Sequence, residues 1–379
     1  MKKTLAGILT LILFISPILI CPARAEPGTS AQAEILIHAD TGQVLCQKNA
    51  DAKMLIASTT KIMTALVVIE NCSPEEKIKI LPEYAAVEGS SMYLKAGETY
   101  TVRDLLYGML LASGNDAAAA LAYHCGGTIA GFAEMMNAKV EELGLHGTAF
   151  KNPHGLDAEG HYSTAADLAA ITRSAMENEL FAKIVSTKTY TVGEQSYMNH
   201  NKLLWNYEGA IGVKTGYTIA AGRSLVSCAE RNGLRLICVT LSDPNDWCDH
   251  KALYDWGFST YEYRQTLPSG IICEIPVISG EKDSVGITCT APTRTLVKKG
   301  SKQDFSLELP EFVYAGVRAG EAAGRAIVTV DGVQTGEYPL IYTEDVALAE
   351  NAKLSPWARL KRVWFLSNKY GITFNQAKS

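Results

Sequence analysis

Ser58-Thr59-Thr60-Lys61-Ile62-Met63-Thr64-Ala65-Leu66-Val67-Val68-Ile69 decides how this chain reads. Ser58 and Lys61 stand three residues apart, which puts both side chains on one face at the start of a helix. The residues after Lys61 are apolar almost all round, so the helix is predicted to be buried. Ser58 then sits at its positive end, where developing negative charge is favoured. Alone, the string also fits a capping serine beside a solvated lysine. Two strings further along, Ser113-Gly114-Asn115 and Lys214-Thr215-Gly216, change that reading. The ordered set Ser-x-x-Lys, Ser-x-Asn, Lys-Thr-Gly describes a serine acyl-transfer site. A second Ser-x-x-Lys, Ser279-Gly280-Glu281-Lys282, has no helix behind it and shows that one string alone arises by chance.

Upstream of Ser58 the pattern is strand, turn, strand, from Glu34-Ile35-Leu36-Ile37 through Asp40-Thr41-Gly42 to Val44-Leu45-Cys46. Helical signals run from 58 to about 175. Thr101 and Asp104 form a capping box, Phe132, Met136, Val140 and Leu143 make an apolar stripe stopped by Gly144, and Thr164 with Asp167 starts another helix. Strands return as 224–229 and 234–241, joined at Asn232-Gly233. Asp246 to Trp256 reads as a helix ended by Gly257. The order predicts an α/β (α+β) fold in which an antiparallel sheet carries helices.

Residues 264–350 hold short β-branched runs and a hairpin turning at Asp331-Gly332, a small all-β domain with no catalytic cluster. After Pro356, Trp357, Leu360, Val363 and Trp364 alternate with Arg359, Lys361 and Arg362 at helical spacing, and 351–379 contains no acid. A basic, Trp-bearing amphipathic helix is expected there, suited to a membrane surface. At the other end, Lys2 and Lys3 precede an apolar run from Leu5 to Ile20 and an Ala23-Arg24-Ala25 cleavage pattern, an export signal. The expected division is 1–25 signal, 26–263 catalytic domain, 264–350 β domain and 351–379 membrane-associating segment.

Without Lys2, Lys3 and Arg24 the net charge of −5 becomes −8, which argues against a nucleic-acid partner. The eight cysteines outside the signal include no Cys-x-x-Cys pair and read as mostly buried free thiols. The Asn232-Gly233 turn places Cys228 opposite Ile237, so Cys228 and Cys238 face opposite ways.

Serine becomes a nucleophile when a base removes its proton, and lysine serves only if its pKa is depressed by burial or a second cation. Lys214 is the candidate second cation for Lys61. Ser113 is read as a proton relay between Lys61 and the leaving amine, and Asn115 as the residue that orients Lys61 and the substrate amide. Ile211-Gly212-Val213 suits an edge strand, along which Lys214, Thr215 and Gly216 can bind an extended peptide and its terminal carboxylate. Backbone N–H groups of Ser58 and Tyr217 are the candidate oxyanion donors. Arg223 is a candidate for holding the substrate carboxylate, but reads more readily as a solvated charge at a strand end.

These strings, with Asn152-Pro153-His154-Gly155-Leu156-Asp157 and His161-Tyr162-Ser163-Thr164-Ala165, resemble the serine-type D-alanyl-D-alanine carboxypeptidases, the low-molecular-mass penicillin-binding proteins. The resemblance covers 31–263 well and the β domain more loosely. It implies a β-lactamase/transpeptidase-like fold, no cofactor, peptidoglycan stem peptides as substrates, β-lactams as covalent inhibitors, and work at the outer face of the cytoplasmic membrane, the cell wall or the periplasm. A serine β-lactamase shares the three strings, but class A enzymes deacylate with an added glutamate, and none declares itself here. A zinc peptidase would draw on His154, Asp157 and His161, the one tempting ligand cluster.

Overall fold

The strand Ala33–His38 (β1) is buried along its whole length, because both faces of its sheet are covered. The computed structural model describes residues 25–290 and 294–349. In it β1 pairs with Val44–Lys48 (β2) on one side and Leu234–Leu241 (β5) on the other. Gly222–Arg231 (β4) and Ala210–Thr218 (β3) complete a five-stranded antiparallel sheet in the order β2-β1-β5-β4-β3. Side chains alternate across it, so Ala33, Ile35 and Ile37 join one core and Leu36 the other. Cys228 does lie opposite Ile237, and it and Cys238 belong to different cores.

The first face carries Lys61–Asn71 (α1), buried from Lys61 to Val68, with Val102–Leu111 (α2), Asn115–Gly126 (α3), Ile129–Glu142 (α4) and Ala165–Met176 (α5) packed around it. The Thr101 and Asp104 capping box is formed, and Asp167 N–H donates to Thr164 Oγ1 at 3.0 Å. The helical stretch is less continuous than its sequence implies. A small ladder of Lys77–Lys79 against Thr99–Thr101 interrupts it, and 144–164 is a loop tied down by the bridges Met54↔Ser163 and Ala149↔Tyr162. Pro74, Pro82 and Pro153 cannot continue a helix through these stretches.

Asp246–Thr260 (α6) covers the other face and does not stop at Gly257. A Cβ there would lie 2.8 Å from Leu236 Cδ1 and 3.0 Å from Leu36 Cδ2. The glycine therefore serves close packing of helix on sheet rather than termination. Tyr263, where the domain boundary was expected, sits inside a strand, Tyr261–Gln265 (β6), paired with Arg294–Lys298 (β7). Through this ladder Leu296 joins the core of Trp256 and Tyr261. Thr189–Val192 and Gln195–Met198 form a separate two-stranded ladder, six further strands form a sheet around Val277, Ile287, Ala326 and Leu340, and Asp331 and Gly332 turn its hairpin at positive φ. The export segment as far as Arg24 and the basic segment 351–379 lie outside the described residues.

Two buried histidines make this fold acid-sensitive. His250 lies between Ser227 Oγ (2.6 Å) and Thr240 Oγ1 (3.0 Å). His161 Nδ1 accepts the Lys151 N–H at 3.1 Å, while its Nε2 lies 2.9 Å from Thr60 Oγ1. Burial pushes the first down to about 3 and the second to about 4. The unfolded chain binds their protons near 6.5, so the stability they confer is complete above that pH and lost as pH falls through the folded values. Urea midpoints taken from pH 7 to 4 are expected to fall, with up to about 2.7 kcal/mol lost per pH unit for two protons. A flat profile would show that these histidines do not set the acid limit.

Candidate active site

Ser58 stands on one 3₁₀ turn, Ala57–Thr60, that runs into α1. Ala57 holds a positive φ of 46°, and Thr60 Oγ1 donates to Ala57 O at 2.8 Å. Two glycines close around this turn. A Cβ on Gly155 would lie 1.9 Å from Ala57 O, and one on Gly216 would lie 3.0 Å from Ile56 O and 3.1 Å from Ser58 N. The bare face of Gly216 thus lets β3 rest on the turn itself. His161, through Thr60, braces the same turn from behind.

Lys61 is fully buried, and its Nζ lies 2.9 Å from Ser58 Oγ, 2.7 Å from Asn115 Oδ1 and 2.7 Å from the His154 carbonyl. The Asn115 amide is oriented by its other end, since Nδ2 donates to Glu88 O at 2.6 Å. Burial, and then the charge of Lys214, hold Lys61 well below the usual lysine range, against a smaller opposing pull from Asp116. Lys214, also buried, is pushed down to about 7 by desolvation. It donates to Ser113 Oγ at 3.1 Å and to Thr215 O at 2.9 Å. Ser113 sits between α2 and α3 at a φ of +61°, a conformation that a residue with a side chain rarely holds.

The three strings therefore meet. Ser58, Ser113, Thr215, Gly216 and Tyr217 line one cleft of about 290 Å³. β3 is an edge of its sheet, with the Lys-Thr-Gly string inside the strand rather than at its end.

The sequence profile of the D-alanyl-D-alanine carboxypeptidase family matches residues 22–245, and that of the penicillin-binding protein 5 C-terminal domain matches 261–348. The chain belongs to the D-alanyl-D-alanine carboxypeptidase family. It is a serine-type carboxypeptidase of the penicillin-binding kind. It is 32% identical over 342 residues to the D-alanyl-D-alanine carboxypeptidase DacF of Bacillus subtilis, covering 86% of this chain and 88% of that one. Among solved structures, penicillin-binding protein 5 from Haemophilus influenzae superposes with a TM-score of 0.71 at 31% identity, covering 86% of this chain and 99% of the other. A mutant of the Streptomyces K15 DD-transpeptidase matches with a TM-score of 0.60 at 36% identity, over 61% of this chain and 99% of that one.

Several parts of this candidate site escape a reading of motifs. Asp116, next to Asn115, is buried and accepts from Ser91 Oγ (2.7 Å) and the N–H groups of Met92 (2.8 Å) and Leu94 (3.0 Å). It thereby pins the loop whose Glu88 and Ser90 carbonyls receive Asn115. Its place in the first turn of a helix was the available signal. Arg223 is no merely solvated charge. Both oxygens of buried Asp246 accept its Nη2 at 2.9 Å, and the pair lines the cleft with His200 and Trp247. β4 sets Arg223 directly across from Tyr217, a register that emerges only once the turn at 219–221 is known. The cluster His154, Asp157 and His161 does not converge. His154 Nδ1 accepts from Leu156 N–H, Asp157 from Thr218 Oγ1, and His161 serves Thr60 and Lys151.

Proposed function

We propose that the enzyme removes the terminal D-alanine from peptidoglycan stem pentapeptides through an acyl-enzyme on Ser58. The observation that carries this is the set of partners around Lys61. A neutral amine has two N–H donors and one lone pair. Asn115 Oδ1 and the His154 carbonyl can only accept, so they take the donors and leave the lone pair for the Ser58 hydroxyl. Ser58 Oγ attacks the carbonyl between the two D-alanines while its proton passes to Lys61. The oxyanion meets the N–H groups of Ser58 and Tyr217. As the C–N bond breaks, the leaving amine takes a proton from Ser113. The Ser113 contact is with Lys214 rather than Lys61, so Lys214 refills the relay. Water then hydrolyses the ester, its proton passing through Ser113 back to Lys214 while Lys61 returns its proton to Ser58 Oγ.

The substrate extends along β3, with Thr215 and Lys214 toward its carboxylate. Arg223 adds a cation to that end of the cleft. β-Lactams acylate Ser58 as mimics of the dipeptide. The enzyme is exported, acts on the cell wall outside the cytoplasm and meets the membrane through 351–379; the sequence at the two ends supports this.

The test is fluorescent penicillin labelling of the mature protein beside Ser58→Ala, with D-alanine release from a stem-peptide mimic measured in the same samples. Labelling and release, both lost in the variant, are expected. Labelling without release would assign a different peptide bond, and folded protein that takes no label would sink the reading.

A further inference from the structure

α1 and α3 begin at the site, with Lys61 and Asn115 as their first residues, and each ends beside a cysteine. Cys72 caps the C-terminus of α1, its N–H donating to Val68 O at 2.9 Å. Cys125 is the next-to-last residue of α3. The two side chains interact with one another, and both are partly exposed. Neighbouring contacts tie the end of α3 to the segment that follows α1. His124 Nε2 lies 2.8 Å from Glu76 Oε2, and Tyr84 stacks on Tyr123 with ring centroids 4.8 Å apart. The other cysteines are less well placed. Cys46 and Cys238 flank Leu36 from opposite strands, two strand spacings of roughly 4.8 Å apart and beyond disulfide reach.

We propose that Cys72 and Cys125 form a disulfide that clamps the far ends of the two helices carrying Lys61 and Asn115. The oxidant is a disulfide, free or on a protein. The Cys125 thiolate attacks one sulfur and releases one thiol, giving a mixed disulfide. Cys72 then attacks the Cys125 sulfur and releases the second, so two protein thiols are oxidised as one external disulfide is reduced. The reverse order, with Cys72 attacking first, gives the same product. Only partly exposed thiols in contact can react this way, whereas Cys228 and Cys238 are buried.

The mature protein is incubated with oxidised glutathione or with dithiothreitol, alkylated, and digested for mass spectrometry. Eight alkylated cysteines are expected under reduction and six after oxidation, with a Cys72 to Cys125 cross-linked peptide. The oxidised protein is expected to melt roughly 5 to 10 °C higher, an increment absent from Cys125→Ser. The wild-type redox comparison stands even if that variant folds poorly. Eight free thiols after oxidation, or Cys72 linked to another cysteine, would overturn the proposal. None of these readouts depends on the reaction at Ser58.

Discussion

Lys61→Arg is expected to slow acylation of Ser58 by roughly 10²- to 10⁴-fold, the range that general base catalysis contributes. Arginine keeps a long cationic side chain but never gives up its proton in a protein. It therefore separates the base from the mere presence of a donor beside Ser58. Stopped-flow labelling with a fluorescent penicillin measures the rate directly. The pH profile adds a second readout. In the wild type, acylation rises with pH as Lys61, held low by burial and by Lys214, loses its proton. It falls again as Lys214 empties around 7, so the curve is bell-shaped, with limbs that belong to the coupled pair. The rising limb is expected to vanish in Lys61→Arg. A variant within tenfold of wild type that keeps both limbs would take the base role away from Lys61.

Gly155→Ala is the second large effect, and it needs no change in any reacting group. Gly155 holds a φ of +88°, and its added methyl would meet Ala57 O at 1.9 Å and Thr60 Oγ1 at 2.8 Å. The 3₁₀ turn under Ser58 or the loop carrying the His154 carbonyl must move. Backbone strain and overpacking together are expected to cost about 3 kcal/mol or more. Acylation is expected to fall at least tenfold in protein that is still folded, since misplacing a nucleophile by an ångström costs up to about 10²-fold. Chemical denaturation and the labelling rate check the two parts separately. If both match the wild type, the contact around the turn is not what positions Ser58.

Much of this architecture was readable from local signals. The Asn232-Gly233 turn set the register of β4 and β5, and through it the opposite facing of Cys228 and Cys238. The capping residues Thr101 and Thr164 marked two helix starts. The strings around Ser58, Ser113 and Lys214 were legible because their spacing reflects chemistry. What stayed hidden depends on contacts distant in the chain. Gly257 looks like a stop signal until the sheet beneath it is known. Arg223 looks solvated until α6 brings Asp246 against it. Cysteines 72 and 125 are separated by a long stretch of sequence, and only the packing of two helices brings them together. Of the eight described, just three are buried, fewer than composition implied.

The strand that bears Lys214 lies at the rim of its sheet, and that placement constrains the solution behaviour of the protein as well as its chemistry. An edge left open for a peptide backbone is equally open to the backbone of another protein molecule. Just past the Lys-Thr-Gly string, Tyr217 is 64% exposed and Ile219 is 94% exposed, apolar groups set beside unpaired main chain. Main chain left unpaired at this rim gives the molecule a place to stick to its own kind. Its solubility at high concentration is thereby tied to whether that groove is filled.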